Sequence, residues 1–219
     1  MAKKSETKKN TDDQIIGMYM DYVLEHETVP KSVYKFCKIN NLKEEEFYKL
    51  FGSIEALQAA IWDKFYSNTI QVVMNDEAYE SFSNKDKMLT FFFTMFELLT
   101  MNRSYVLFAL KEHKSVLKNL SQLKGLRTNI KSFATELVQD ANTDKNYKIT
   151  KKSPQLYAEG AWLQFLFLLK FWMDDTSTGF EKTDLAIEKS VKTIFDVFQN
   201  TPLESIIDFG KFLYKEKFA

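Results

Sequence analysis

Apolar residues recur at three- and four-residue spacing along nearly the whole chain, and the polar breaks between these runs are short. That period is helical. Ile15, Ile16, Tyr19, Val23 and Leu24 share one face over residues 12–27, and Asp12 and Asp13 stand at the end where the helix dipole favours acids. Three apolar patterns with two very short breaks fill residues 30–62, and the third, beginning at Ser53, continues through Leu57, Ala60, Ile61, Phe65, Ile70 and Val73. Beyond residue 76 the runs become longer and greasier. MLTFFFTMFELLTM follows a cap at Ser83 or Asn84, a second segment lies near 103–112, and a third near 115–140 carries Leu117, Leu120, Leu123, Leu126, Ile130, Phe133 and Leu137. Residues 141–152 are a polar loop, and Ser153-Pro154 opens a helix that runs to the DD pair, with proline at a tolerated first-turn position. TSTG breaks that helix. Leu185, Ile187, Val191, Ile194, Phe195 and Phe198 mark another over 180–199, and Pro202 starts a last one with Leu203, Ile206, Ile207, Phe209 and Leu213. The pattern predicts an all-α protein of about nine to ten helices and no strand.

The stretch 30–62, PKSVYKFCKINNLKEEEFYKLFGSIEALQAAIW, is the most specific part of the chain. Ser32 can cap a helix with Val33, Phe36 and Cys37 inward. Asn40-Asn41 suits a tight turn, because Asn tolerates the left-handed backbone, and Leu42 plugs the turn. Phe47, Leu50 and Phe51 line one side of a short second helix, Gly52 ends it, and Ser53 caps the third. This is a helix-turn-helix arrangement, whose second helix can enter a DNA major groove. The stretch resembles the N-terminal domain of tetracycline repressor-like (TetR) regulators in Ser32-Val33, Asn41-Leu42, Phe47-Tyr48, Phe51 and Ser53 through Leu57. It departs from that family's pattern where Asn41 replaces the turn glycine, Lys43 replaces a serine and Ile54 replaces a phosphate-contacting lysine. Glu44, Glu45 and Glu46 stand where small residues are common. The resemblance implies a helix-turn-helix domain over 1–67, with a tail at 1–11, and a helical effector-binding and dimerisation domain over 68–219. In that family the last long helix pair builds a four-helix interface with a twofold mate.

Composition narrows the function. With 219 residues the chain can bury a sizeable core, and the scarcity of turn formers, 6 Gly and 3 Pro, favours long helices over a sandwich or barrel. Lys plus Arg equals Asp plus Glu at 30 each, so any attraction to a polyanion must be local. The Lys-rich tail MAKKSETKKNT is a solvated segment or an arm that tracks DNA phosphates. One Cys excludes an internal disulfide and fits a reducing cytoplasm. No apolar run reaches the roughly 18–20 residues of a membrane span, so no stable membrane insertion is expected. AWLQFLFLLKFWM, over 161–173, comes closest but contains Gln164 and Lys170.

No catalytic constellation or cofactor motif stands out, and the sequence reads as that of a non-enzyme. His26 and His113 lack metal-ligand spacing, Cys37 sits at an apolar helix position, and there is no Gly-rich phosphate loop. No metal site is expected. Asp174-Asp175 reads as the solvated end of a helix rather than as a carboxylate pair for acid/base or metal chemistry.

In the short helix, Glu44, Glu45 and Lys49 are free to face outward if Phe47, Leu50 and Phe51 are buried. A Glu there can accept from cytosine N4, although three adjacent carboxylates repel a polyanion. The same acids also suit a first helical turn. Five lysines over 30–51 (Lys31, Lys35, Lys38, Lys43 and Lys49) outweigh the three glutamates, and Tyr48 resembles the family's phosphate-contacting tyrosine. The DNA-binding candidates are Ser32, Lys43, Glu44, Glu45, Tyr48 and Lys49. The aromatic helices of the second half need cover on more than one face, from core, partner or ligand. Phe92, Phe96, Tyr105, Phe108, Trp162 and Phe165 are the candidates for a small apolar ligand between helices. Trp162, Phe165, Leu169, Trp172, Leu185, Val191 and Ile194 are the candidates for a homodimer interface. FWMDDTSTGFEKT also resembles the C-terminal part of lipid-binding ubiquinone-biosynthesis proteins that share the TetR fold and lack DNA binding. Two functions follow as expectations: a ligand-responsive DNA-binding regulator, or a lipid- or isoprenoid-binding relative that has lost DNA.

Overall fold

The computed structural model describes residues 11–112, 116–143 and 153–200. Expectations for the tail 1–10, His113, residues 144–152 of the loop expected over 141–152 and the helix from Pro202 lie outside the described residues, as do those for the side chains of Leu117 and Phe198, while residues 141–143 of that loop are helical instead. Ten α-helices and no strand occur among the described residues. They are α1 Asp12–His26, α2 Val33–Ile39, α3 Glu44–Leu50, α4 Ile54–Met74, α5 Asn84–Met101, α6 Arg103–Lys111, α7 Val116–Ser121, α8 Lys124–Thr143, α9 Pro154–Asp174 and α10 Glu181–Asn200. The described residues form two compact units. One is drawn from Met1–Val72 with Met95–Asn129, the other from Val73–Thr94 with Ile130–Ala219.

In the first unit, local signals fix the short helices. Thr11 and Gln14 cap α1 reciprocally: Gln14 N–H donates to the Thr11 hydroxyl at 3.3 Å, and Thr11 N–H donates to Gln14 Oε1 at 3.0 Å. Ser32 accepts from Lys35 N–H at 3.2 Å and starts α2. Asn41 takes the left-handed conformation at φ 51°, as the turn requires, and Leu42 is buried behind it with its N–H on Cys37 C=O at 2.9 Å. An edge-to-face series, Tyr19–Phe36 at 6.1 Å and Phe36–Phe47 at 6.0 Å, joins α1, α2 and α3.

Three details differ from expectation. Leu50 is 42% exposed rather than inward. Gly52 does not terminate α3 through a left-handed cap, because the helix already ends where Phe51 turns extended at φ −135°. The helix expected over 115–140 is broken into α7 and α8. At the break, Gln122 accepts from Trp62 Nε1–H at 2.8 Å and donates to Ala109 C=O at 3.0 Å and Asn119 C=O at 2.9 Å. These bonds reward a turn that no local residue announces.

In the second unit, Ser83 is the residue that caps α5, accepting from Asp86 N–H at 3.2 Å. Phe91 stacks on Phe133 at 4.7 Å. α9 turns Tyr157, Ala158, Ala161, Trp162, Phe165, Leu168, Leu169 and Trp172 inward, against Ile187, Val191 and Phe195 of α10. One polar bond crosses this pair, from the Gln164 side-chain amide to the Ser190 hydroxyl at 2.9 Å.

Candidate nucleic-acid interface

α3 presents most of the expected DNA-facing residues on seven residues of helix. Phe47 is its single fully buried side chain and anchors the helix. Lys43, Glu45, Tyr48 and Lys49 are exposed and Glu44 is half-buried. Each carboxylate has a different fate. Glu45 pairs with Lys49 one turn on, and hydrogen bonding to that ammonium holds its carboxyl below the usual range. Glu46 accepts from Lys43 N–H at 3.5 Å, which suits an acid in a first turn. Glu44 makes no hydrogen bond or ion pair with the described residues. Ser32 is exposed at the start of α2, separate from the α3 group in sequence.

α2 adds Tyr34, which the sequence reading did not name, and Lys38, which it counted only among the local lysines. Tyr34 is 56% exposed, and the Lys38 ammonium lies 5.9 Å from its ring centroid. Their i, i+4 spacing opposite the buried Phe36 and Cys37 was the available signal. Cys37 belongs to the core. Burial, with smaller contributions from Glu44 and Glu46, pushes its thiol up to about 11. His26 is exposed in the last turn of α1, stacked on Tyr22 at 4.3 Å.

The apolar candidates divide between the units. Phe96, Tyr105 and Phe108 lie in the first, and Phe92, Trp162 and Phe165 in the second. Phe108 borders an open cleft of about 600 Å³ with Leu107, Val29 and Glu112. A neighbouring cleft of about 410 Å³ takes in Ser32, Ser53, Gln58 and Lys118. The other five candidates line neither cleft. Tyr105 is 1% exposed, and its hydroxyl has no hydrogen-bond partner among the described residues. Beside it, the Gln58 amide donates to Tyr19 Oη at 2.8 Å and to Glu112 Oε2 at 3.1 Å.

A family model described as the C-terminal domain of tetracyclin repressor-like proteins matches residues 87–213, more than half of the chain. The chain belongs to the tetracycline repressor-like family. No curated protein matches it. All six apolar candidates fall inside the matched residues of this TetR-family chain, and the helix-turn-helix lies before them. No group of three or more metal-ligating side chains, and no helix long and apolar enough to cross a membrane, occurs among the described residues.

Within the matched region two expectations need correction. Of the residues read as an interface, Trp162, Phe165, Leu169, Trp172 and Val191 are buried within the protomer, whereas Leu185 is exposed and Ile194 half-buried. The outward apolar stripe is Leu163, Phe167 and Phe171, 64%, 55% and 36% exposed, with Leu185 and Val197 on α10. The second correction concerns the DD pair. Asp174 is solvated and paired with Lys170, as expected, but Asp175 is buried. Asp175 accepts from the backbone and hydroxyl of both Ser177 and Thr183, at 2.7–2.9 Å, and so fixes the connection between α9 and α10. Desolvation alone would raise its carboxyl, and these four bonds hold it well below the usual carboxylate range.

Proposed function

We propose that this TetR-family protein is a ligand-responsive, DNA-binding transcriptional regulator. It acts in the cytoplasm as a homodimer without catalytic activity. Residues 1–67 would supply the DNA-binding domain, and 68–219 the effector-binding and dimerisation domain. The observation that carries this reading is α3 itself. One buried Phe47 and the Asn41-Leu42 turn anchor it, and Glu45, Tyr48 and Lys49 stand exposed on its surface. The stripe Leu163, Phe167 and Phe171 supports a second copy as the partner of α9, because four-residue spacing puts it on one face of a 21-residue helix. A small apolar effector, favouring one spacing of the two DNA-binding domains, sets DNA affinity by linkage. The Tyr105 hydroxyl would give such a ligand a polar anchor.

Selection of genomic fragments with the purified protein tests the reading, which expects palindromic sites with half-sites about one helical turn or a multiple apart. The second reading, a lipid- or isoprenoid-binding protein without DNA binding, is favoured by one feature. The Glu45–Lys49 pair neutralises charge that a DNA-binding helix usually keeps free. Failure to retain any duplex at about 50 mM salt, with lipid recovered by mass spectrometry of an extract, would put that second reading first.

A further inference from the structure

The outward surface of α3 has an unusual inventory for base readout. The groups that distinguish bases in the major groove are few. Arg or Lys donates to guanine O6 and N7, Asn or Gln pairs with adenine N6 and N7, a carboxylate accepts from cytosine N4, and apolar surface meets the thymine methyl. This chain holds only Arg103 and Arg127, neither in the helix-turn-helix, and no Asn or Gln occurs from Leu42 to Leu57. Lys49 is the one cation within α3, and it is engaged by Glu45. To reach guanine it would leave that carboxylate unpaired beside an edge made only of acceptors. The other stripe of the helix is different. Glu44 and Tyr48 are one turn apart and therefore neighbours. Glu44 has no hydrogen bond or ion pair with the described residues, and Tyr48 is 53% exposed, its ring edge-on to the buried Phe47 at 5.6 Å. Glu44 is also the first residue of the helix, and recognition helices contact base edges with their N-terminal residues.

We infer that α3 is a pyrimidine reader: Glu44 accepts from cytosine N4, and the Tyr48 ring packs on the C5 methyl of a neighbouring thymine. The inference rests on the DNA-binding reading and specifies its operator. Each half-site carries a cytosine next to a thymine on the contacted strand. The Glu45–Lys49 stripe faces the groove as a neutral spacer, and anchoring to phosphates falls to residues outside α3.

The test is selection of random duplexes with the full-length protein, followed by titration of the enriched site and its variants. Half-sites with a fixed cytosine and thymine are expected. Replacing that thymine by uracil, which removes only the methyl, should weaken binding several-fold in the wild type and not in Tyr48→Ala. Tyr48→Phe keeps the ring and should keep the thymine preference. Glu44→Gln keeps a helix former of the same length and should move the preferred base from cytosine to adenine, by about tenfold in relative affinity. Sites anchored on guanine, sensitive to Lys49→Ala and indifferent to Glu44→Gln, would overturn the inference and leave the regulator standing. Retention of duplex without sequence preference would do the same. If no duplex is retained at about 50 mM salt, the regulator reading and the inference fall together.

Discussion

α3 and α9 solve opposite problems. α3 has seven residues and one fully buried side chain, and a helix that short has little stability of its own. It exists because its two neighbours and the Leu42 plug hold it, so its outer residues are released from packing. Its charges reflect this: Glu45 and Lys49 neutralise each other, Glu46 serves the first turn, and the Glu44 side chain makes no hydrogen bond or ion pair with the described residues. α9 has 21 residues and buries nine of them, yet still shows Leu163, Phe167 and Phe171 to solvent. Where α3 has more polar surface than its fold needs, α9 has more apolar surface than its own unit covers. Both excesses point to partners, a polar one for α3 and an apolar one for α9.

The comparison can be broken most severely at the anchor of α3. Leu42→Asp puts an unpaired charge into a 6% exposed site and should cost several kcal/mol. Phe47→Ala, at a fully buried position, should cost about 3–5 kcal/mol. Thermal unfolding should show loss of the N-terminal helices in both variants. An unchanged transition would mean that α3 does not depend on these two plugs.

The next test acts on the excess of α9. Leu163→Lys with Phe167→Lys alters two exposed positions, so the fold of the protomer should survive. If a second copy covers the stripe, the loss at two central apolar contacts is at least about 2 kcal/mol each, enough to shift sedimentation from dimer to monomer at micromolar concentration. Trp162→Ala, by contrast, should destabilise the protomer itself. A wild-type monomer at that concentration would remove the argument.

How much of this was legible in the sequence differs between the regions for a physical reason. The elements of the helix-turn-helix are set by neighbours a few residues apart: the Ser32 cap, left-handed Asn41, the Phe36 and Phe47 spacing. They appear where the pattern puts them. The role of Leu50 was missed because Phe51 leaves the helix and takes the buried place. In α9 the pattern shows a helix apolar on several sides but not which side α10 covers, so Trp162 and Leu163 could not be told apart by size. The break at Gln122 depends on Trp62 and Ala109, far away in sequence. Asp175 was readable in principle, since an Asp two residues before a Ser at a helix start is a capping arrangement.

Asp175 sharpens the comparison because it is a buried carboxylate of the second unit whose charge is held by four hydrogen bonds. Asp175→Asn removes the charge and replaces one acceptor oxygen with a donor facing the backbone and hydroxyl of Ser177 or Thr183, at a cost of about 1–2 kcal/mol. The wild type should also show a pH dependence that the variant lacks. The folded carboxyl titrates below the unfolded value of about 4, so its stabilisation is fully present above that value. It is lost as pH falls through the depressed folded value. Denaturant titrations of both proteins at about pH 7 and pH 3 check this, and an equal pH slope in the two would refute it.

The smallest effect is expected on α3, where it says most about function. Glu45→Gln keeps the length of the side chain and removes the partner of Lys49. Both are well exposed, at 75% and 60%, and such pairs contribute little to stability, so thermal unfolding should not change measurably. DNA affinity should change. Lys49, released from Glu45, can neutralise one more phosphate per protomer, and the slope of log K against log salt should steepen by about 0.9 for each. Random and selected duplexes should gain alike, because a phosphate contact carries no sequence information. Glu44→Gln is the control, since it should alter base preference with a smaller effect on the salt slope. If Glu45→Gln lowers affinity for the selected site alone, Glu45 contacts a base, and the neutral stripe of α3 is part of the readout.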